Sequence, residues 1–244
     1  MKPSRRRTWN RFVRALRTQP VITALATIAA LVTVARQVFL PVPEVWPYGE
    51  ELGEFLYDFG LAILGAWIFN LLVVMLPRLR DQEALYASIN KDLRGVSGGA
   101  MAVIRTLTQS VGAPPLPDPL TQPIDPDDLR RWCEAASDEQ NPARFMISDD
   151  GASVRQGSWK EYLDYERRRV ANFQSRLEAA YVYLPVELIA LLREIQDDGY
   201  YLMLPYVAGQ PNLAFLAEPL HDHMLTCDRL RDYLDRQVAP LISG

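Results

Sequence analysis

The sequence predicts an all-α membrane protein in which a two-span transmembrane helical hairpin is followed by a cytoplasmic helical bundle. Three observations predict this fold class: two long apolar runs, a segregation of charge along the chain, and apolar residues at heptad spacing in the remainder. The 244-residue chain is 49% hydrophobic and 23% charged, with 26 Lys and Arg against 30 Asp and Glu. This composition is typical of folded proteins and excludes a disordered, collagen-like or disulfide-rich chain.

Two apolar runs have the length of membrane-spanning helices. Residues 21–40 are interrupted only by Arg36 and Gln37, and residues 59–77 carry no charge and one strongly polar side chain, Asn70. At about 1.5 Å per residue, such runs reach about 30 Å, the thickness of the hydrocarbon core of a bilayer. Because lipid offers the backbone no hydrogen-bond partners, both runs are predicted to be helices.

The charges that flank the two runs predict their orientation. Residues 1–20 contain seven basic residues and no acid, and residues 41–58 contain five acids and no base. Basic segments stay on the cytoplasmic side, so both termini are expected in the cytoplasm and 41–58 outside as an acidic loop. We therefore expect a multi-pass protein of an inner (plasma) membrane, and the use of 23 Arg against 3 Lys suggests a bacterium with a GC-rich genome.

A cleaved signal peptide is the alternative interpretation of the first run, because a basic start and an apolar stretch are also its signature. The run is longer than the about 7–15 apolar residues of a signal peptide. The small residues near its end, Thr33 to Ala35, make a poor cleavage site. We therefore favour the membrane span.

Small and weakly polar residues recur along one side of each predicted span. Such residues let two membrane helices approach closely, so they predict the face along which the hairpin packs. The same faces could instead line a pore or join several hairpins into an oligomer. The residues of this predicted packing face are Thr23, Thr27 and Ala30 in the first span and Ala62, Ala66 and Asn70 in the second.

The remaining residues, 78–244, carry a net charge of −7 and begin with a coiled-coil-like repeat. Two sets of apolar residues recur at seven-residue spacing, which predicts a helix with one apolar seam. Gly95, Gly98 and Gly99 interrupt it without changing its phase, so we expect one kinked or closely packed helix. The helical seam consists of Ile89, Leu93, Val96, Ala100, Val103 and Leu107.

Local signals predict the elements that follow the seam. Six prolines in 113–126 predict an extended linker, after which Asp125 or Asp127 caps a short helix. Ser158 and Glu161 form a capping box that opens a long helix.

The end of the chain is also predicted to be helical. Pro185 precedes a helix over 186–196, and a last helix runs over about 216–238. Residues 139–157 are expected to form a loop, and 200–207 is the only stretch compatible with a strand.

Catalytic and metal-binding patterns are weak. Gly95 to Gly99 matches G-x-S-x-G around Ser97, but a nucleophile elbow needs a preceding strand, which a heptad seam does not provide. His221 and His223 lie two residues apart and so cannot share a metal on a helix. Cys227 lies one helical turn after His223, and its apolar neighbours favour a core position. We assign no catalytic, cofactor-binding or metal site.

Three functional hypotheses follow. We favour a non-enzymatic membrane protein whose helical domain binds a protein partner or a second copy of the chain, with the lipid bilayer as its other partner. The second is a membrane-perturbing effector whose hairpins oligomerise into a pore, and the third is a membrane-tethered serine hydrolase using Ser97. The acidic charge of 78–244 argues against nucleic acid as a partner.

Overall fold

Helices make up most of the chain in the computed structural model, as the sequence predicts. The structure describes residues 20–39, 49–116, 124–137, 142, 145–148 and 154–243. Two compact units are present, one of residues 1–87 with 241–244 and one of residues 88–240.

The first unit is built on two apolar helices that pack along one another, α1 (Pro20–Phe39) and α2 (Gly49–Phe69). Helix α1 covers nearly all of the first apolar run, residues 21–40. Helix α2 begins earlier than the second span was expected to, so the second half of the acidic segment 41–58 is helical instead of a loop. Acidic residues near the start of a helix favour its N-terminal end, which accounts for the difference. The first half of that segment and residues 1–19 lie outside the described residues.

Two π-helical segments continue α-helices, and both end just before a proline. The first, Asn70–Met75, precedes Pro77, and the second, Leu234–Val238, precedes Pro240. Proline has no N–H, and its ring clashes with the carbonyl four residues earlier in an α-helix. The wider π turn relieves this clash, so the helix continues through the proline. The bonds that define the two wide turns run from Leu76 N to Leu71 O and from Ala239 N to Leu234 O.

The second unit is a helical bundle with one central helix. The central helix packs against four others, and its buried side chains recur at three- and four-residue spacing. The helices after the first π segment are α3 (Leu76–Ser97), whose residues up to Ala87 belong to the first unit, α4 (Gly99–Ser110), α5 (Pro126–Ala135), α6 (Trp159–Glu178), α7 (Val186–Gln196), α8 (Gly199–Met203), the central α9 (Ala217–Tyr233) and α10 (Ala239–Ser243), whose residues from Leu241 belong to the first unit. Short 3₁₀ turns cover Tyr181–Tyr183, Leu204–Val207 and Ala214–Leu216.

The caps form as the sequence predicts. Asp125 Oδ1 accepts the N–H of Asp127 at 2.9 Å, so Asp125 is the residue that caps α5. Helix α5 therefore begins at Pro126, the last residue of the expected linker. Ser158 Oγ accepts the N–H of Glu161 at 3.3 Å, and a Glu161 carboxylate oxygen accepts the N–H of Ser158 at 2.8 Å. Both bonds of the capping box at the start of α6 are thus present.

Two expectations about strands are wrong. Residues 139–157 contain a two-stranded antiparallel sheet, β1 (Met146–Ser148) with β2 (Val154–Gln156), in which Ile147 pairs with Arg155. These strands are too short to show alternation in the sequence. The stretch 200–207 forms helix α8 and a 3₁₀ turn, because Asp198 caps it as a helix N-terminus.

The seam helix is interrupted at one residue. Helix α3 ends at Ser97 and α4 begins at Gly99, although hydrogen bonds from Gly98 N to Arg94 O and from Ala102 N to Gly98 O carry the helical path across the break. A Cβ at Gly99 would lie 2.9 Å from a methyl carbon of Val170 on α6. The glycines therefore allow close packing, as expected, but the expected single helix is divided into two helices, α3 and α4, at Gly98.

Candidate functional site

The first candidate site is the outer surface of the α1–α2 hairpin. Large apolar side chains are exposed along both helices and along the π segment, as in Val21, Leu31, Phe55 and Phe69. Among the described residues, one helix, Gly53–Ser97, is long and apolar enough to cross a membrane, and Pro20–Ala35 is a shorter apolar helix.

The six residues of the predicted packing face differ in their exposure. Thr23, Ala30 and Asn70 are half-buried, whereas Thr27, Ala62 and Ala66 are exposed. Among the residues of the two helices whose side chains the structure describes, the buried ones are Ala26 and Ala29 in α1 and Gly60 in α2.

The contact made at Gly60 explains why the alanines of α2 are exposed. A Cβ at this position would lie 3.2 Å from Thr33 Oγ1 and 3.4 Å from the Ala29 carbonyl oxygen. The closest approach of the two backbones therefore occurs at the residue that has no side chain. Helix α2 is turned so that Gly60 faces α1 and the alanines of the predicted stripe face outward.

The helical seam is buried inside the second unit. The chain itself covers all six seam residues, and Leu93 and Val96 are 0% exposed. The seam therefore contributes to the core of the unit and does not offer a surface to a second molecule. The six residues are Ile89, Leu93, Val96, Ala100, Val103 and Leu107.

The second candidate site is a buried row of three polar side chains, Asp198, His223 and Cys227. His223 Nδ1 lies 3.0 Å from Asp198 Oδ2, and His223 Nε2 lies 3.7 Å from Cys227 Sγ. Both His223 and Cys227 are 1% exposed. The order of groups is the one in which a carboxylate orients an imidazole that in turn contacts a nucleophile.

Local structure explains how the three residues meet. His223 and Cys227 are four residues apart on α9 and so share one face of the helix. Asp198 is the N-cap of α8, where its Oδ1 accepts the N–H of Tyr200 at 3.0 Å. The cap fixes the carboxylate, and the second oxygen of the same group is then available to His223.

Two tyrosines enclose the imidazole. The Tyr200 ring is stacked on His223 with a centroid separation of 4.9 Å, and Tyr201 meets the imidazole edge-on at the same centroid separation. Tyr200 is buried, and its hydroxyl has no hydrogen-bond partner among the described residues. Burial raises the pKa of the Tyr200 and Tyr201 hydroxyls, so both remain neutral donors.

The charge of His223 follows from two opposing effects. Burial lowers its pKa, but the hydrogen bonds with Asp198 and Cys227 outweigh burial and raise the pKa to about 9. Burial likewise opposes ionisation of Asp198, and its hydrogen bonds with His223 and the Tyr200 N–H outweigh this and lower its pKa. At neutral pH the pair is therefore an imidazolium beside a carboxylate.

A small cleft lies next to this cluster. It encloses about 200 Å³ between α6 and the α7–α8 connection, and its lining includes Arg167, Gln174, Gln196 and Tyr201. Tyr201 is half-buried and contacts His223 on one side and the cleft on the other. The Tyr201 ring is therefore the part of the wall that separates the cleft from the imidazole.

Other sequence patterns do not form a site. Ser97 is buried, and its hydroxyl donates to the Arg94 carbonyl of its own helix at 3.2 Å. No group of three or more His, Cys, Asp or Glu within the described ranges is arranged to hold a metal ion. The sequence had singled out His223 and Cys227 as neighbours but missed Asp198. The signal that could have found Asp198 is the Asp-Asp-Gly after α7, in which Asp198 is an N-cap residue for the next helix.

Comparisons with protein families, with curated proteins and with solved structures find no match for this chain.

Proposed function

We propose that the protein is an integral protein of a bacterial inner membrane, anchored by a two-span hairpin, with both termini in the cytoplasm. In this proposal, α1 and α2 with the following π segment cross the bilayer, and unit 88–240 acts in the cytoplasm as an interaction or regulatory module. The observation that carries the proposal is the outward exposure of large apolar side chains on both helices of the hairpin.

Solvation energy supports lipid as the environment of this surface. Fully burying a Val, Leu, Ile or Phe side chain is worth about 1.5–3 kcal/mol relative to leaving it in water. Contiguous apolar surfaces of this kind are rare on proteins that are surrounded by water. Lipid removes this penalty, and the absence of charge over residues 59–77 leaves nothing costly to insert.

Reporter fusions to the full chain test both anchoring and orientation. Alkaline phosphatase, which is active only outside the cytoplasm, is fused after residue 48 in one version and after residue 244 in another. We expect activity from the first fusion alone, and expect the chain to stay in the membrane after an alkaline carbonate wash. Phosphatase activity from the second fusion, or release by carbonate, would contradict the proposal.

The interaction role has support in the surface of unit 88–240. Val182, Tyr183 and Val186 lie within one short segment and are largely exposed. Light scattering on the full chain in detergent measures whether it associates with itself. A monomer at every accessible concentration would exclude the second copy as the partner.

A second candidate function is membrane permeabilisation by oligomerised hairpins. One observation favours it: Asn70, a half-buried amide within the apolar run, begins a π-helical segment, and such segments are frequent at functional sites. Inducing the full chain and the Asn70→Leu variant while recording membrane potential tests this candidate. Depolarisation by the native chain alone would support a pore, and no depolarisation would leave the hairpin as an anchor.

A further inference from the structure

We propose that Cys227 is a modification site, at which the Cys227–His223–Asp198 cluster reduces a small hydroperoxide and becomes a sulfenic acid. The site lies within unit 88–240, so the proposal does not depend on how the protein is anchored.

The first step of the argument is the geometry of the cluster. Asp198 fixes the orientation of the imidazole through Nδ1, and this leaves Nε2 directed at the sulfur 3.7 Å away. An imidazolium next to a cysteine is a setting in which the sulfur acts as a nucleophile. The carboxylate keeps the imidazole charged, because it stabilises the protonated ring.

The second step is the size of the reactant. Cys227 is 1% exposed, so a substrate with a bulky group next to its reacting atom cannot reach Sγ. A hydroperoxide presents a terminal oxygen of about the size of a water molecule. The cleft of about 200 Å³ is large enough to hold such a molecule, and the Tyr201 ring, which lines the cleft and contacts His223, would have to rotate to admit it to the cluster.

The third step is the chemistry, which needs only the groups present. The imidazolium of His223 already carries a proton at Nε2, so the Cys227 thiol releases its own proton to solvent as the sulfur attacks one peroxide oxygen. An S–O bond forms and the O–O bond breaks. The departing oxygen takes the proton from Nε2 and leaves as water or an alcohol, and His223 regains a proton from solvent. The sulfur is oxidised by two electrons to sulfenic acid, and the peroxide is reduced by the same two electrons.

Cys133 is a matched internal control. It is the only other cysteine of the chain, it lies in the same unit, and it is also 1% exposed. Burial, and to a smaller extent the charge of Glu134, raise the pKa of its thiol to about 12. Cys133 therefore stays a neutral thiol in the folded protein and reports how often the whole unit opens.

The experiment uses the full chain in detergent micelles at pH 7 with hydrogen peroxide and dimedone, which traps sulfenic acid. Mass spectrometry of the peptides measures the dimedone adduct at each cysteine. We expect the adduct to form at least about tenfold faster at Cys227 than at Cys133. Equal rates at the two cysteines would overturn the proposal, because both would then react only in the unfolded chain.

Substitutions in the cluster distinguish activation of the Cys227 sulfur by His223 from mere exposure of Cys227 to the reagent. His223→Gln and Asp198→Asn should each reduce the ratio of the Cys227 rate to the Cys133 rate toward one, whereas His221→Gln should leave the ratio unchanged. Asn is also a good N-cap residue, so Asp198→Asn keeps the cap of α8 while removing the charge. Partial unfolding by itself also moves the ratio toward one, so a lowered ratio counts as lost activation only in a variant whose Cys133 rate equals that of the native chain. An unchanged ratio in both cluster variants would contradict the role of His223 and Asp198.

Discussion

The buried pair of His223 and Asp198 predicts a defined loss of stability in alkaline solution. The pKa of His223 is raised to about 9 in the folded protein, against 6.5 for an ordinary imidazole. Below pH 6.5 the imidazole is charged in both the folded and the unfolded chain, so the full stabilisation by Asp198 is present. As the pH rises through about 9, the folded protein also loses this proton and the stabilisation disappears.

The magnitude follows from the two pKa values. A difference of one pKa unit is worth about 1.4 kcal/mol, so the full contribution is about 3 kcal/mol and roughly 2–3 kcal/mol of it remains at pH 7. Almost none remains at pH 9.5. His223 is nearly inaccessible to water, so screening by solvent does not reduce this value appreciably. The other titratable groups that contact His223 are Asp198, which stays ionised over this range, Cys227, and Tyr200 and Tyr201 on α8.

Labelling of Cys133 measures the unfolding of unit 88–240 in the full chain. The protein is titrated with urea at pH 7 and pH 9.5, and the fraction of Cys133 that reacts with iodoacetamide is normalised to the fully unfolded chain at the same pH. We expect the native protein and His221→Gln to lose roughly 2–3 kcal/mol more between the two pH values than His223→Gln does. Groups that titrate in all three proteins, such as the tyrosines, cancel in this comparison.

Equal pH dependence in the native protein and in His223→Gln would refute this reasoning. It would mean that His223 is neutral in the folded protein at pH 7 and that the bond with Asp198 is an ordinary hydrogen bond. The acidic side gives an independent check. The pKa of Asp198 is lowered in the folded protein, so stability due to the same pair should also fall as the pH drops below about 4.

The remaining predictions use the same labelling assay at pH 7. Leu93→Ala removes a side chain that is fully buried in the seam, so we expect the free energy of unfolding to fall by about 2–5 kcal/mol. As a control, Leu202→Ala at an exposed position should change it by less than about 0.5 kcal/mol. Similar effects of the two substitutions would contradict the buried seam. Ser158→Ala removes the side-chain acceptor of the capping box, so we expect a loss of about 1 kcal/mol. A rescue of that loss by Ser158→Asp, also a good N-cap residue, would confirm the cap as its cause.

Signals that depend on neighbours in sequence predicted structure well. Ser158 with Glu161, Asp125 before its helix and Pro185 before α7 all mark helix ends at the residues where the structure has them. Each works because a cap or a proline acts on the backbone within three or four residues. The buried face of α9 was visible for the same reason, since helical periodicity is a local property.

Signals that depend on contacts between distant residues were ambiguous or misleading. Helical spacing places Glu166 on the apolar face of α6, and only the structure shows that it is buried and pairs with Arg169 at an oxygen–nitrogen distance of 2.7 Å. Small residues on the second span predicted a packing face, but Gly60 decides the rotation of the helix because a glycine allows closer approach than an alanine.

In the cluster of Asp198, His223 and Cys227, one contact was predictable from local spacing and the other depends on packing between distant residues. Spacing alone brought His223 and Cys227 together, while Asp198 lies 25 residues from His223 along the chain. The role of Asp198 as a cap is local, but its second oxygen reaches His223 only because α8 packs against α9.

By itself, the sequence determined the helical fold class, the position of the apolar runs and most helix ends, because periodicity, hydrophobicity and capping act within a few residues. Only the tertiary structure decided which faces of α1 and α2 meet, that the seam is covered by the chain itself, and that a carboxylate meets the buried imidazole. These depend on which surfaces can approach most closely, and close approach is set by the side chains of two helices together.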